Sequence, residues 1–281
     1  MNSIVLVDKP ADITSFDVIR ILRKRLKIKK IGHAGVLDKM ATGLLVCATG
    51  RATKLLSIFE NSYKVYVAEI TLGLKTDTYD ITGRVVERFK VDLDKDKIKG
   101  VLAEFVGEIE QLPPPFSNVK YKGKRLYKYA LKGESVDIKP RKVKIYGIKL
   151  LDIDENRLTI EVKCSKGTYI RTLANDIGER LKCGGVVSAL RRTFVYPFSV
   201  DEASKPENPT ILNLEKALSF LDEIVVPEDF LSFVKNGVYP CSIFDCFKLK
   251  ENLYRLVDES GRLLAVIERK DKSYSYKAVF I

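Results

Sequence analysis

The sequence predicts an α+β protein: a mixed, mostly antiparallel sheet, followed by a small β-rich module at the C-terminal end. Three observations lead there. Strand-like and helix-like segments follow one another without the regular alternation of a doubly wound fold. Residues 143–153 and 157–164 have strand composition and meet across Asp154-Glu155-Asn156, a hairpin signal. From Ile224 onward the texture changes to short strands with turn signals at Asn236-Gly237 and Ser260-Gly261, and nine basic residues nearly balance eight acidic ones. With 281 residues there is room for one large domain or two. The change of texture, after a Pro/Asn-rich connector at 205–210, divides the chain into 1–222 and 223–281.

The elements follow in order. Residues 3–7 are a strand ended by Pro10. Residues 15–27 set Val18, Ile19, Leu22 and Leu26 on one face and Arg20, Arg23, Lys24 and Lys27 on the other. That is an amphipathic helix with a basic outer face and Ser15 as its N-cap. Residues 29–42, with Gly32 and Gly35 and Gly43 at the edge, read as a loop; 43–48 as a buried strand; 51–59 as a helix. Residues 63–72 form a long strand whose Tyr66, Ala68, Ile70 and Leu72 share one face. A polar turn at 76–83 and a helix at 94–105 lead to Pro113-Pro114-Pro115. Residues 117–138 are polar, basic and partly helical. Apolar residues at 170, 173, 174, 177 and 181 mark a helix over 168–181. Residues 184–190 are a strand and 212–220 a short helix.

Composition excludes several classes. Apolar residues make up 46% and charged residues 31%, ordinary globular values that rule out a disordered or collagen-like chain. No apolar run is long enough to cross a bilayer, and the N-terminus lacks the pattern of a signal peptide. Five cysteines without a CxxC pair, and one histidine, argue against a zinc site and suit a reducing cytoplasm. The net charge is +12, but it is concentrated. Residues 20–30 carry +7 and residues 117–144 carry +8, so the rest of the chain is near −3. In the second patch Tyr121, Tyr127 and Tyr129 interleave with Lys120, Lys122, Lys124, Arg125 and Lys128. Rings for stacking beside cations for phosphate suit looped RNA.

The most informative stretch is Gly32-His-Ala-Gly-Val-Leu-Asp-Lys-Met-Ala-Thr-Gly43, a lone carboxylate, Asp38, among closely spaced glycines. Taken alone, Asp38 would be a turn residue and His33 a packing residue. The stretch resembles the signature G-H-T-G-T-L-D-P-x-A-T-G of the bacterial tRNA pseudouridine(55) synthases of TruB type. Residues 6–15 are similar to the opening D-K-P-x-G-x-T-S of that family. Lys64-Val-Tyr66 with residues 72–80 resembles its K-x-Y strand and turn. Pro114-Pro-Phe-Ser117 with Lys120, Gly123 and Tyr127 resembles its insertion, and Lys166-Gly-Thr-Tyr-Ile-Arg-Thr172 its K-G-T-Y-I-R segment. The last sixty or so residues resemble a degenerate PUA module, an RNA-binding β-barrel. Ala34, Lys39, Asp12 and Asn118 stand where the family usually has threonine, proline, glycine and alanine.

The resemblance implies isomerisation of uridine 55 in the tRNA T loop to pseudouridine, with no cofactor or metal. It assigns the carboxylate that acts on the sugar to Asp38, the cation that keeps it charged to Arg171, and the ring that stacks on the flipped base to Tyr66. It makes Tyr169 and Leu190 pocket walls, His33 a contact to the loop the base leaves, and Lys9 and Pro10 support behind Tyr66. Residues 117–144 become a clamp on the RNA, mobile without it. A cytoplasmic monomer without obligatory protein partner is expected. Two other readings use the same residues: a catalytically silent RNA-binding protein, and the guide-RNA-dependent branch of the superfamily, against which the start at the first strand and the insertion argue.

Overall fold

The computed structural model describes residues 1–92, 94–134, 136–238, 250, 252–270 and 273–281. Cys241 and Cys246 lie outside the described residues. The chain opens with β1 (Ile4–Lys9), α1 (Ser15–Leu26), β2 (Ile31–Ala34), β3 (Thr42–Thr49), a 3-10 turn (Gly50–Leu55) and α2 (Leu56–Asn61). There follow β4 (Lys64–Leu72), β5 (Leu74–Thr76), β6 (Val85–Arg88), α3 (Lys95–Glu104) and β7 (Gly107–Gln111). The basic insertion holds β8 (Lys120–Tyr121), β9 (Lys124–Arg125) and α4 (Leu126–Ala130), ahead of β10 (Arg141–Asp154), β11 (Arg157–Cys164), α5 (Ile170–Leu181) and β12 (Gly185–Val195). The chain ends with β13 (Phe198–Ser199), β14 (Thr210–Leu212), α6 (Leu214–Ala217), β15 (Asp222–Val225), α7 (Leu231–Lys235), β16 (Leu253–Val257), β17 (Leu263–Lys270) and β18 (Ser273–Val279). The pairings of β1 with β3 and β14, β2 with β3, β4 with β11 and β12, β5 with β6, β7 with β10, β8 with β9, β10 with β11, β16 with β17 and β17 with β18 are antiparallel, and that of β15 with β16 is parallel. The mixed, mostly antiparallel α+β class is as the sequence predicts. Among the described residues no helix is long and apolar enough to cross a membrane.

Two compact units emerge: residues 1–39 with 43–60 and 197–281, and residues 40–42 with 61–196. In the first, β1 pairs with β14 on one side and β3 on the other, and β2 joins β3. α1 covers this sheet because Val18, Ile19 and Leu22 meet Val5, Val7, Ile31, Leu45 and Cys47 in one core. The N-cap is Thr14, not Ser15. Thr14 and Asp17 form a reciprocal capping box. Its hydrogen bonds and the Arg20 ion pair lower the Asp17 carboxyl to about 2. The expected loop 29–42 contains β2. Gly32 belongs to that strand, and a Cβ there would come 2.9 Å from Leu56 Cδ1. The glycine marks a close approach within a sheet, which composition alone reads as a loop.

Among the described residues from 222 to 281, β15-β16-β17-β18 form a separate sheet around Val226, Val234, Tyr254, Leu256, Leu264 and Ile267. Among the described residues this sheet is open, not the barrel expected. Residues 239–249, part of that expectation, lie outside the described set. The turn signal at Asn236-Gly237 falls at the end of α7, with Gly237 at φ +69°. The helix expected over 212–220 shrinks to α6 because Leu212 pairs with Ile4 and Asn213 caps the turn that follows.

In the second unit the strands run β12-β4-β11-β10-β7. The hairpin at 154–157 is as expected, and β12 runs on to Val195. Ala68, Ile70 and Leu72 of β4 are fully buried, and so are Leu173, Ala174 and Ile177 of α5, which packs on β12 and β4. The closest approach is at Gly178, where a Cβ would lie 2.1 Å from the Gly185 nitrogen. Backbone cannot yield as a side chain can. Gly178→Ala is therefore expected to lower unfolding stability by about 2–3 kcal/mol or more, read as a shift in the urea midpoint.

Candidate functional site

The signature loop is held from both sides of Asp38. At Leu37, the N–H donates to Ser15 Oγ at 2.9 Å, and the Ser15 hydroxyl donates back to the Leu37 carbonyl at 3.3 Å. At Lys39, the carbonyl accepts from the Asp12 N–H at 2.9 Å and from Lys9 Nζ at 3.2 Å. Lys9 is fully buried and also donates to the carbonyls of Pro10 and Ile13, each at 2.8 Å. A buried ammonium is tolerable only when hydrogen-bonded, so Lys9 ties the end of β1 and the residues before α1 to the Asp38 loop. Asp38 itself is half-buried. His33 sits on β2 opposite Cys47, and Pro10 is exposed.

Two departures from the family pattern are accommodated here. Asp12 has φ +65°, a left-handed conformation that glycine takes freely and that Asp tolerates better than most residues. Lys39 offers its carbonyl to Lys9 and Asp12, which a proline in its place could equally do.

In the second unit, Arg171 is 5% exposed. It donates to the carbonyls of Thr78 and Phe116, each at 3.0 Å, and lies 3.4 Å from Asp80 Oδ2. Asp80 is fixed in turn. Its Oδ1 accepts from Thr78 Oγ1 at 2.9 Å, the Thr82 N–H at 3.0 Å and Thr82 Oγ1 at 2.6 Å. The guanidinium thus joins α5, the 77–83 turn and the entrance to the basic insertion. Asp80 was not singled out as a site residue from the sequence. The signal available was the spacing Thr78, Asp80, Thr82, which closes a hydrogen-bonded loop around one carboxylate.

Tyr66 is half-buried on β4, between Val162 on β11 and Arg192 on β12, with Ala68 next on its face. Leu190 pairs with Ala68 and is 8% exposed. Tyr169 caps α5, and buried Gln111 clasps its backbone: the Tyr169 N–H donates to Oε1 at 3.0 Å and Nε2 donates to its carbonyl at 3.3 Å. Cys164, opposite Lys64, is pushed up to about 11 by burial and stays a thiol at neutral pH. Tyr66, Tyr169, Arg171, Leu190 and the insertion lie in this unit, while Lys9, Pro10, His33 and Asp38 lie in the first.

The insertion is a small folded device. Lys122 and Gly123, both at positive φ, turn the β8–β9 hairpin. Leu126 is buried, and the Tyr121 and Tyr129 rings meet edge to face at 5.9 Å. Lys120, Lys122, Lys124, Arg125 and Lys128 are all exposed. Asn118 accepts from Arg125 at 2.7 Å, which an alanine could not do. By contrast, a groove of about 380 Å³ beside α5 is lined by Glu104, Glu110, Asp176 and Glu179 with Phe105, Ile109 and Arg180, so its acidic side chains outnumber its one cation. Burial raises its Asp176 carboxyl. Among the described residues no three His, Cys, Asp or Glu side chains gather as a metal-binding group.

The first unit holds a carboxylate loop pinned by a buried lysine; the second holds a buried arginine and a basic, tyrosine-bearing arm of the kind that suits a nucleic-acid-binding class of protein. Comparisons with known proteins narrow it. The family described as TruB family pseudouridylate synthase (N terminal domain) matches residues 23–170, and the tRNA pseudouridylate synthase B C-terminal domain matches residues 171–231. The tRNA pseudouridine synthase B of Clostridium kluyveri is 38% identical over 289 residues, covering 100% of both chains. That of Thermotoga maritima is 38% identical over 283 residues, covering 97% of this chain and 91% of its own. Among solved structures, a chain of a Cbf5-Nop10-Gar1 complex superposes with a TM-score of 0.71 at 24% identity, over 99% of this chain and 83% of that one. A chain of an H/ACA RNP bound to a substrate RNA containing 2'-deoxyuridine gives 0.70 at 23%, over 99% and 85%. These two likenesses concern the fold. The chain belongs to the TruB family of pseudouridylate synthases and is an isomerase.

Replacing Lys9 by Met keeps the apolar stem but leaves the carbonyls of Pro10, Ile13 and Lys39 without that donor. The expected cost is about 2–3 kcal/mol, measured by urea unfolding. A loss of turnover beyond that explained by the unfolded fraction is also expected, because the Asp38 loop is released.

Proposed function

We propose that this enzyme converts uridine 55 in the T loop of tRNA to pseudouridine, with Asp38 as the carboxylate that acts on the sugar and without a cofactor. The N1–C1′ bond of the uridine breaks, the uracil turns, and a C5–C1′ bond forms. C5 loses its proton and N1 gains one, so the composition of the nucleoside is unchanged. The developing oxocarbenium- or glycal-like sugar needs an ionised carboxylate. The observation that carries the reading is the fixation of Leu37 and Lys39 on either side of Asp38, by Ser15 and by Lys9 with the Asp12 N–H. A carboxylate held this way meets the reacting sugar in a set position. The names of the full-length relatives supply the tRNA substrate.

The remaining roles follow the same reading. Arg171 keeps Asp38 ionised, Tyr66 stacks on the flipped uracil, and Tyr169 and Leu190 wall the pocket. His33 contacts the loop the base leaves, while Lys9 and Pro10 support the site from behind. Extruding the base costs a few kcal/mol, and the insertion at 117–144 supplies phosphate and stacking contacts against that cost. Residues 1–222 are the catalytic domain and 223–281 a PUA-like RNA-binding module. The enzyme works as a cytoplasmic monomer.

The test is incubation of the purified protein with an unmodified T stem-loop, with no metal or cofactor added, and adduct sequencing of the RNA. Pseudouridine is expected at the target uridine. Asp38→Asn is expected to reduce product to background while RNA affinity stays within about twofold of the parent; product that persists in this variant would refute the assignment. RNA affinity is also expected to fall by about 10³-fold or more between roughly 50 and 200 mM salt if six or more phosphates are contacted, measured by filter binding.

A further inference from the structure

The basic helix that stands out in the sequence is not used by any role above. We infer that the exposed face of α1 is a second RNA contact, which holds the phosphate backbone of the substrate beside the Asp38 loop. The inference rests on the proposed function only for the identity of the RNA.

Phe16, Arg20, Arg23, Lys24 and Lys27 succeed one another at i, i+4, i+7, i+8 and i+11, one continuous stripe of the helix and its C-cap. All five are exposed. No Asp or Glu occurs between residues 18 and 37. Asp17 is the one acid of the helix, and it pairs with Arg20. Among the described residues no carboxylate pairs with Arg23, Lys24, Arg25, Lys27, Lys29 or Lys30. A run of like charges without counter-ions is unfavourable to hold together and calls for a polyanion.

Phe16 adds a second, independent sign. A phenylalanine that is 56% exposed gains nothing from the core. Its ring lies instead beneath two guanidinium groups, with Arg20 Cζ at 5.7 Å and Arg23 Cζ at 5.8 Å from its centroid. A ring placed so restrains both arginines before any ligand arrives, and lowers the entropy lost when they grip phosphate.

The geometry decides the class of polyanion. A basic amphipathic helix that binds lipid buries its apolar face in the bilayer. Here that face is spent: Val18, Ile19 and Leu22 lie in the protein core. What remains outside is a line of cations from Arg20 to Lys27, roughly 10 Å long. Arg20 stands five residues beyond Ser15, which bonds Leu37 next to Asp38. Charges spaced along the helix that carries Ser15 match the spaced phosphates of a polynucleotide bound beside the Asp38 loop.

The test compares two charge-matched variants of the full chain. Arg23→Glu with Lys24→Glu alters the stripe. Lys95→Glu with Lys99→Glu makes the same change in net charge on exposed residues of α3. Binding of a tRNA transcript that carries the target uridine is measured from about 50 to 300 mM salt. If two phosphate contacts are lost, the slope of log K against log salt drops by about 1.4–1.8 in the α1 variant. Its affinity near 0.1 M falls about tenfold or more, and the α3 variant keeps the parental slope. An unchanged slope in the α1 variant, or an equal drop in both, overturns the inference. So does loss of binding to phosphatidylserine vesicles with an intact RNA slope. Should the double Glu variant fold poorly, Arg23→Gln with Lys24→Gln reads the same slope. A parent that binds tRNA with the expected slope but forms no pseudouridine sinks the proposed function and leaves the α1 result to stand or fall separately.

Discussion

A single buried ammonium organises the loop that carries Asp38. Lys9 has no solvent exposure, so its charge must be satisfied by protein, and the carbonyls of Pro10, Ile13 and Lys39 do this. Those carbonyls belong to the end of β1, the approach to α1 and the residue after Asp38. Removing an ammonium from water costs several kcal/mol before hydrogen bonds compensate. The fold therefore has one arrangement of these segments that is affordable, and the position of Asp38 follows from it. Ser15 does the same on the other flank with a hydroxyl in place of a charge.

The second unit repeats this logic with a guanidinium. Arg171 faces two carbonyls and the Asp80 carboxylate, and the threonines at 78 and 82 saturate Asp80. A buried Arg–Asp pair contributes little net stability against a well-packed apolar substitute, yet leaving either partner alone is costly. Such pairs specify geometry more than they add stability. Here the geometry ties the start of α5 to the segment that leads into the basic arm. Beyond Phe116, exposed cations surround a small packed hairpin whose tyrosines contact each other. The charge is thus displayed on a folded frame.

Several departures from the family pattern become chemically ordinary in this setting. Asp12 adopts a left-handed conformation and still donates its N–H to Lys39. Asn118 uses its side-chain oxygen to orient Arg125. Both are local solutions to needs that the chain's fold creates, which a pattern of letters does not display.

By itself the sequence determined the class of fold, the long β4, the hairpin at 154–157, the α5 stripe and the basic faces. These depend on local periodicity and turn chemistry, and each residue reports its own environment through its neighbours in the chain. It also determined the family, because the loop around Asp38 and the K-G-T-Y-I-R segment are distinctive in combination. Tertiary structure decided what depends on contacts between distant residues. Gly32 turned out to be part of a strand because it pairs with Ala48 of β3, Ser15 gave up the cap because its hydroxyl serves Leu37, and Leu212 left its helix to pair with Ile4. The partners of Lys9 and of Arg171 were likewise invisible in the linear order. A hydrogen bond between residues 30 or 90 positions apart leaves no periodicity behind, and only the folded chain brings its two ends together.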